Sequence, residues 1–375
     1  MSVADRLSRK IAASGPMPLD QFLEQVMSGH EDSYYAGQDR FGEAGDFITA
    51  PEISQLFGEI VAAFLAWLWE VSGKPQPDEM MLFEAGPGRG TLFADLHRSW
   101  CQICPQMAAA PVMFLETSPY LRKALEQRFG AMDMQLIPRA DALPEISLFG
   151  AANEFFDALA IRQAIKREAG WVWRAVTATA TGAFRMADGA PLTDEEIARY
   201  KLASDSPAGA VAEFSPASEE VMAKLARHVA RFGGAVLICD YGKSGPMGDS
   251  LQAVRAHQAV PVLDCPGQSD ISHLVDFAAL AACAEAQGAR LIGPVGQGAF
   301  LRELGIEARA EALRQKEAGR ASGTSDPVRD RALAAAVDRL CAPEQMGQIF
   351  KVAVLVPAGE GLPAGFASLS QETPK

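Results

Sequence analysis

The sequence predicts an α/β protein whose core is an open, doubly wound sheet of parallel strands joined by crossover helices. Three observations predict it. From residue 80 onward, short apolar runs alternate with amphipathic stretches, the pattern of strands that must be linked by helices crossing over the sheet. The first run, MMLFE, leads straight into the glycine-rich turn AGPGRGT, as a strand feeding a helix does at a ligand site. Residues 164–179 break the alternation and read as polar–apolar pairs around Glu168-Ala169-Gly170, a β-hairpin inserted in the core.

Taken in order, an N-terminal helix is marked by the stripe Leu19, Phe22, Leu23, Val26 and Met27. Residues 30–47 have no period but carry Tyr34, Tyr35, Phe41 and Phe47, so they are expected to form an ordered lid. A helix opened by the capping box Thr49-x-x-Glu52 then runs through Ile53, Leu56, Phe57, Ile60, Val61, Phe64, Leu65 and Leu68. Strands are expected at 80–84, 112–116, 134–137, 148–153, 235–240, 289–292 and 350–356, with helices at 91–100, 119–129 and 217–232. Residues 241–272 read as a long Gly/Pro loop, and 307–340 as helical with a charged turn at 316–331. The organisation expected is a helical segment and lid over 1–75 and a core over 76–357. Within that core lie a hairpin at 160–180 and a helical insertion at 305–342; a disordered tail over 358–375 follows.

Bulk properties narrow the function. The 375 residues are 49% hydrophobic and 22% charged, ordinary for a globular protein with a sizeable core. A net charge of -13 argues against a nucleic-acid partner, which needs clustered Lys and Arg. Six scattered cysteines include one C-x-x-C at Cys101 and Cys104, without a second pair at zinc spacing, and no metal is assigned. The longest apolar run, 60–69, is flanked by Glu59 and Glu70 and is too short to span a membrane. The first residues lack the apolar region of a secretory signal, so a cytoplasmic location is expected.

The chemistry gathers at strand ends. In FEAGPGRGT, Gly86, Gly88 and Gly90 are spaced G-x-G-x-G, which is neither the dinucleotide nor the P-loop pattern. Pro87 removes an N–H donor that a phosphate cradle would need, and Glu84 would repel a pyrophosphate but attract a cation. S-adenosylmethionine, with a sulfonium and an ammonium and no phosphate, suits the stretch, and Thr91 opens the helix that follows. The alternative is a turn that needs glycine for steric reasons alone. Glu116, at the end of the second strand, can accept from ribose hydroxyls, or serve as an ordinary helix N-terminal acid before Ser118-Pro119. Asp141 could accept from an adenine amine, although RADALPE reads equally as a capping segment. The fourth strand ends in AANEFFDAL, where Asn153, Glu154 and Asp157 suit a nitrogen nucleophile that must be oriented and deprotonated. Asp240-Tyr241 closes the next strand at the same rim. His257, Asp270, His273 and Asp276 receive no role.

The strings GDFITAPEISQLFGE, EAGPGRGTLFADL, NEFFDAL, EFSPASEEV, GGAVLICDYG, SLQAVRAHQAVPVLDCPGQSDISHLVDF, QGAFLRELGI and MGQIFKV occur in this order over roughly residues 20–356. Together they resemble the MidA family of class I S-adenosylmethionine-dependent methyltransferases. The resemblance implies a Rossmann-like, mostly parallel seven-strand sheet. It also implies protein-arginine methylation of a respiratory complex I subunit, the activity of characterised mitochondrial members. It matches Glu84, Gly86, Gly88 and Gly90 to the donor loop and Glu116 to the acid after strand two. Gly45, Asp46 and Thr49, beside Phe47, match the signature that closes over the donor, and Asn153, Glu154 and Asp157 match the substrate-side motif. Glu154, Asp157 and Asp240 are the candidates for orienting a guanidinium and taking its proton, with Tyr241 beside them. A donor-binding assembly factor with little turnover is the competing expectation.

Overall fold

The computed structural model describes residues 2–28, 32–35, 49–179, 181–318, 327–359 and 361–367. Seven strands build the central path, here β1 (Met80–Ala85), β2 (Val112–Leu115), β3 (Met134–Ile137), β4 (Ser147–Asn153), β5 (Gly234–Lys243), β6 (Ala289–Gly296) and β7 (Phe350–Pro357). Their order is β3-β2-β1-β4-β5-β7-β6. The first five run parallel, and β7 is antiparallel to both neighbours. An eighth, two-residue strand, Val275–Asp276, pairs with the end of β5 and had no signal in the sequence.

These strands read as unbroken apolar runs because both faces are covered. Met80 and Leu82 pack into the core under the helices Gln55–Val71 and Thr91–Ile103, whereas Met81, Phe83 and Ala85 pack into the core under Pro216–Phe232 and Phe277–Ala286. The same alternation holds in β7, with Val352, Val354 and Val356 on one face and Ala353 and Leu355 on the other. The direction of winding reverses between β1 and β4, which are adjacent in space. The crevice beyond the carboxyl ends of two such strands is where a doubly wound sheet receives its ligand.

Four features differ from the sequence expectations. The hairpin at 160–180 is the centre of a five-stranded antiparallel sheet: Arg162–Arg167 and Gly170–Ala178 are flanked by Val211–Phe214, Phe184–Pro191 and the N-terminal Met17–Pro18. The helices Val3–Ser14 and Leu19–Met27 pack on this sheet, with Leu7, Ile11, Phe22 and Val26 in one core with Val176 and Ile161. The loop at 241–272 holds a three-stranded sheet of Gln252–Arg255, Gln258–Val260 and Asp270–Ser272. Its hairpin turns on Ala256 and His257, both at positive φ (49° and 59°), a two-residue turn usually signalled by Asn or Gly. The expected continuous helix from Thr49 is two helices. Its capping box opens only Ala50–Ile53; Ser54 then turns extended (φ -163°, ψ 140°) and caps Gln55–Val71 by accepting from the Leu56 N–H. Part of the expected tail, finally, is built into the fold. Phe366 is fully buried against Phe64 and Phe300, because Glu303 accepts the Gly365 and Ala367 N–H groups and holds that segment down.

The insertion after β6 consists of Gln297–Glu303, Ile306–Ala318 and Pro327–Cys341. Half of the charged turn expected between the last two helices lies outside the described residues, as does most of the lid expected over 30–47.

Candidate donor cleft and carboxylate cluster

The turn after β1 forms because its glycines take conformations that other residues rarely adopt. Gly86, Gly88 and Gly90 have φ of 63°, 54° and 72°. Space forbids a side chain as well: a Cβ on Gly86 would come within 2.8 Å of the Phe155 ring, and one on Gly90 would strike Phe129. The steric reading of these glycines therefore holds, and it does not compete with a ligand site. Two of the turn's amides are spent within the fold. Gly86 N–H donates to the Leu115 carbonyl at 3.0 Å and Gly90 N–H to that of Pro87 at 2.7 Å, while Pro87 has no N–H to offer. Such a turn makes a poor phosphate cradle.

The cleft above it has Glu84, Gly86, Pro87, Gly88, Arg89, Thr91 and Leu92 as its floor, Asn153 and Glu154 as its wall and Thr49, Pro51 and Glu52 as its cover. Glu84 is 3% exposed, and its Oε2 has no hydrogen-bond partner among the described residues. Burial raises its carboxyl to about 8, against the pull of the Phe93 amide and the Arg128 charge. The Asn153 Oδ1 is likewise buried and, among the described residues, unpartnered. Two orphaned acceptors on residues lining one cleft call for a ligand rich in donors and positive charge. S-adenosylmethionine fits that requirement through its ammonium and sulfonium.

Glu116 stands one residue beyond Leu115, whose carbonyl binds the glycine turn, so β2 delivers it beside the floor of the cleft. It accepts the Ser118 N–H at 2.8 Å, and burial raises it to about 7 against the Ser118 and Thr117 amides. Ser118 caps Pro119–Phe129, so Glu116 also helps to organise that helix start. Asp141, expected to accept from an adenine amine, follows β3 and takes part in two ion pairs. Its Oδ1 binds Lys224 Nζ at 2.7 Å and its Oδ2 binds Arg139 Nε at 2.9 Å, on the surface. Hydrogen bonds from Lys224 and Arg139 hold its pKa low and occupy both oxygens.

The turn after β4 carries the second cluster. Glu154 adopts φ 49°, a strained value for a non-glycine residue, with its N–H bound to the Cys239 carbonyl at 2.8 Å. Its Oε1 accepts from Asn153 Nδ2 at 3.1 Å and from the Ala50 N–H at 3.0 Å. Burial raises it to about 8, with Asp240 and Glu52 adding to the rise and the Ala50 and Asn153 donors opposing it. Asp157 is buried and its pKa lies well above the ordinary range, first from burial and then from Asp240, to which it hydrogen-bonds. Asp240 is fully buried, and its role differs from the guanidinium ligand expected. Its Oδ2 accepts the Phe155, Phe156 and Asp157 N–H groups and its Oδ1 the Tyr241 N–H, so it shapes the turn that presents Glu154. Burial still lifts it to about 7. Tyr241 packs on Phe350 at 4.0 Å between centroids, and burial beside Glu154 and Asp157 raises its phenol.

Three participants escaped the sequence reading. Tyr35 Oη donates to Asp270 at 2.7 Å, and the Asp270 charge raises Asp157; no local motif links the three. Glu52, read only as a capping residue, also lines the cleft. Gly45, Asp46 and Phe47 lie outside the described residues, whereas Thr49 and Thr91 are both cleft residues.

Comparison with known proteins agrees with this geometry. Residues 60–295 match the model of a family described as "Putative S-adenosyl-L-methionine-dependent methyltransferase". The mitochondrial protein arginine methyltransferase NDUFAF7 of Mus musculus is 31% identical, over 94% of this chain and 83% of its own length. Its Drosophila melanogaster homolog is 31% identical over 95% and 85%. A crystal structure from Burkholderia thailandensis, of a COG1565 superfamily member and likely methyl transferase bound to S-adenosyl-homocysteine, superimposes with a TM-score of 0.83. It is 27% identical, and the match covers 97% of this chain and 94% of that one. The chain belongs to the MidA family of S-adenosylmethionine-dependent methyltransferases.

Proposed function

We propose that this enzyme methylates an arginine side chain of a protein substrate, at the junction of the donor cleft and the Glu154 turn. The observation that carries the reading is the position of Glu154. It lines the donor cleft, is half-buried, and titrates near 8 among further acids. A guanidinium entering there meets a carboxylate able to orient its planar face and receive a proton near neutral pH. When bound, S-adenosylmethionine supplies an electrophilic methyl group. The chain's own residues do the rest. Glu84 and Asn153 hold the donor's cationic end, and Glu116 holds its ribose. Asp240 fixes the backbone from Phe155 to Asp157, and Thr49–Glu52 cover the cleft. Glu154 takes the proton that the guanidinium nitrogen sheds as its new bond to carbon forms.

The names of the relatives support arginine as the target, and the resemblance supports a subunit of a respiratory complex as the substrate protein. A cytoplasmic location is put forward with it, to be checked by fractionation, since those relatives are named mitochondrial. No helix among the described residues is long and apolar enough to cross a membrane.

The test incubates the purified protein with methyl-labelled S-adenosylmethionine and protein extract. One or a few labelled proteins carrying methylarginine are expected, with labelling abolished by Glu154→Gln while S-adenosylhomocysteine still binds. No labelling despite intact binding would replace this reading with that of a donor-binding assembly factor.

A further inference from the structure

A backbone hydrogen bond joins the proposed base to the segment that covers the donor. Ala50 N–H donates to Glu154 Oε1 at 3.0 Å. Ala50 is the first residue of the short helix Ala50–Ile53, which the Thr49–Glu52 capping box holds in place. Thr49, Pro51 and Glu52 line the same cleft as Glu84 and the glycine turn. The donor of this bond thus belongs to the cover and its acceptor to the wall. The bonds to the carboxylate from Ala50 and Asn153 both end on Oε1, and among the described residues none ends on Oε2. The two donors differ in origin. Asn153 precedes Glu154 in the chain and is always beside it. Ala50 is 104 residues away in sequence and reaches Glu154 from the separate segment 49–53, the arm.

We infer that the Ala50 N–H is a positioning group through which the docked arm sets the orientation and ionisation of Glu154. The inference rests on the reading of Glu154 as proton acceptor. An amide pointed at a carboxylate favours its charged form and fixes one oxygen, so the other is aimed. Asp240, at the end of β5, and Glu52, on the arm itself, push the carboxyl the other way. Asp157, Tyr241 and the Cys239 thiol also feel the Glu154 charge, and Arg89 lies in the cleft floor. Against those anions the arm supplies one of the two hydrogen bonds that oppose protonation. Without it, the Glu154 backbone would stay fixed by its own N–H bond to Cys239, and Asn153 Nδ2 alone would direct the side chain.

The backbone at this buried position accepts removal of the bond. Proline is tolerated at the first position of a helix, and Thr49, extended at ψ 160°, has the backbone that a following proline requires. Ala50→Pro deletes the donor, and Ala50→Gly keeps it. The direct readout is the pH titration of the Glu154 carboxyl by NMR, in full-length protein labelled with carbon-13 glutamate, saturated with S-adenosylhomocysteine and assigned by Glu154→Gln. Ala50→Pro is expected to raise the midpoint by about one pH unit, and Ala50→Gly to leave it in place. Rates with labelled S-adenosylmethionine and a pool of arginine-containing peptides provide the second readout. There, kcat at pH 7 should fall about tenfold, with the KM for the donor changed less than about threefold and the acid limb of the pH profile moved upward.

An unmoved midpoint in folded Ala50→Pro protein overturns the coupling, as does a loss of kcat without a shift of the acid limb. Should Ala50→Pro fail to fold, Thr49→Val loosens the same helix start and is expected to shift the midpoint in the same direction; no shift there overturns the coupling too. Full turnover by Glu154→Gln is a separate failure. It removes Glu154 as proton acceptor, and the coupling with it.

Discussion

Asp240 Oδ2 accepts the Phe156 N–H at 2.8 Å, tying the end of β5 to the turn that follows β4. Three further amides, from Phe155, Asp157 and Tyr241, end on the same carboxylate. Four N–H groups around one buried acid make it a template for the backbone that presents Glu154. Asp240→Asn keeps the shape but turns an NH2 group toward amides that also donate. The expected cost is about 2–4 kcal/mol of stability, read by urea denaturation, with a matching loss of turnover. A fully stable, inactive Asp240→Asn protein would instead make Asp240 a direct participant in the reaction.

Glu84 and Glu116 predict an unusual pH dependence for the ligand-free protein. Burial lifts them from the ordinary glutamate value of 4.5 to about 8 and about 7. The folded chain then holds protons that the unfolded chain has released. Their contribution is present in full below pH 4.5 and is lost as pH rises from there through about 7 and 8. Stability should therefore be greater at pH 6 than at pH 8.5, by on the order of 4 kcal/mol from these two carboxyls, with Glu154 and Asp240 adding to the same slope. Glu84→Gln should flatten this slope and weaken S-adenosylhomocysteine binding about tenfold or more. Thermal melts across this range, with and without that ligand, provide the check; an equally steep slope in Glu84→Gln would exclude Glu84 as its source.

The legibility of the fold in the sequence follows from which forces act locally. The core strands were readable because both faces of the sheet are covered, so β1 and β7 are buried almost throughout. The glycine turn was readable because Gly86 has a positive φ and an aromatic ring against it, needs that only glycine meets. The three-stranded sheet after β5 was not, since Ala256 and His257 take the turn conformation without the residues that signal it. In the site, chain-local groups such as Glu84, Asn153 and Glu154 were found from their strand ends. Groups whose meaning depends on distant partners were not. The ion pairing of Asp141 was not foreseen because Lys224, its main cation, stands on a helix far along the chain. Asp240 was read as reactive because nothing in the sequence shows four amides converging on it. The Tyr35–Asp270 bond spans 235 residues and could only be seen folded.

The buried ion pair Lys243–Glu213 joins β5 to the inserted antiparallel sheet. Lys243 Nζ lies 2.6 Å from Glu213 Oε2, and Gln163 and Ser250 donate to the same carboxylate. Burial alone would raise Glu213, yet the Lys243 and Ser250 bonds hold it below the ordinary value. Lys243→Met leaves that acid without its cation and should cost about 3–5 kcal/mol. Adding Glu213→Gln should recover much of the loss, because the amide no longer needs a counter-charge. A double-mutant cycle in urea measures both, and independent additive losses would show that the pair does not act as a unit.

Phe366 is fully buried in contact with Phe64, on the helix Gln55–Val71, and with Phe300, after β6. The helix Gln55–Val71 begins at Ser54, directly after the short helix whose Ala50 reaches Glu154, so the C-terminal segment braces the base of the arm. Phe366→Ala should cost about 3–5 kcal/mol as a buried aromatic lost from a packed core. Glu303→Gln, which weakens the acceptor holding Gly365 and Ala367, should cost about 1 kcal/mol. Hydrogen exchange locates the effect. Amides of 55–71 are expected to lose protection in Phe366→Ala before those of β1 do, and uniform loss across both would mean that the segment supports the whole fold rather than the arm.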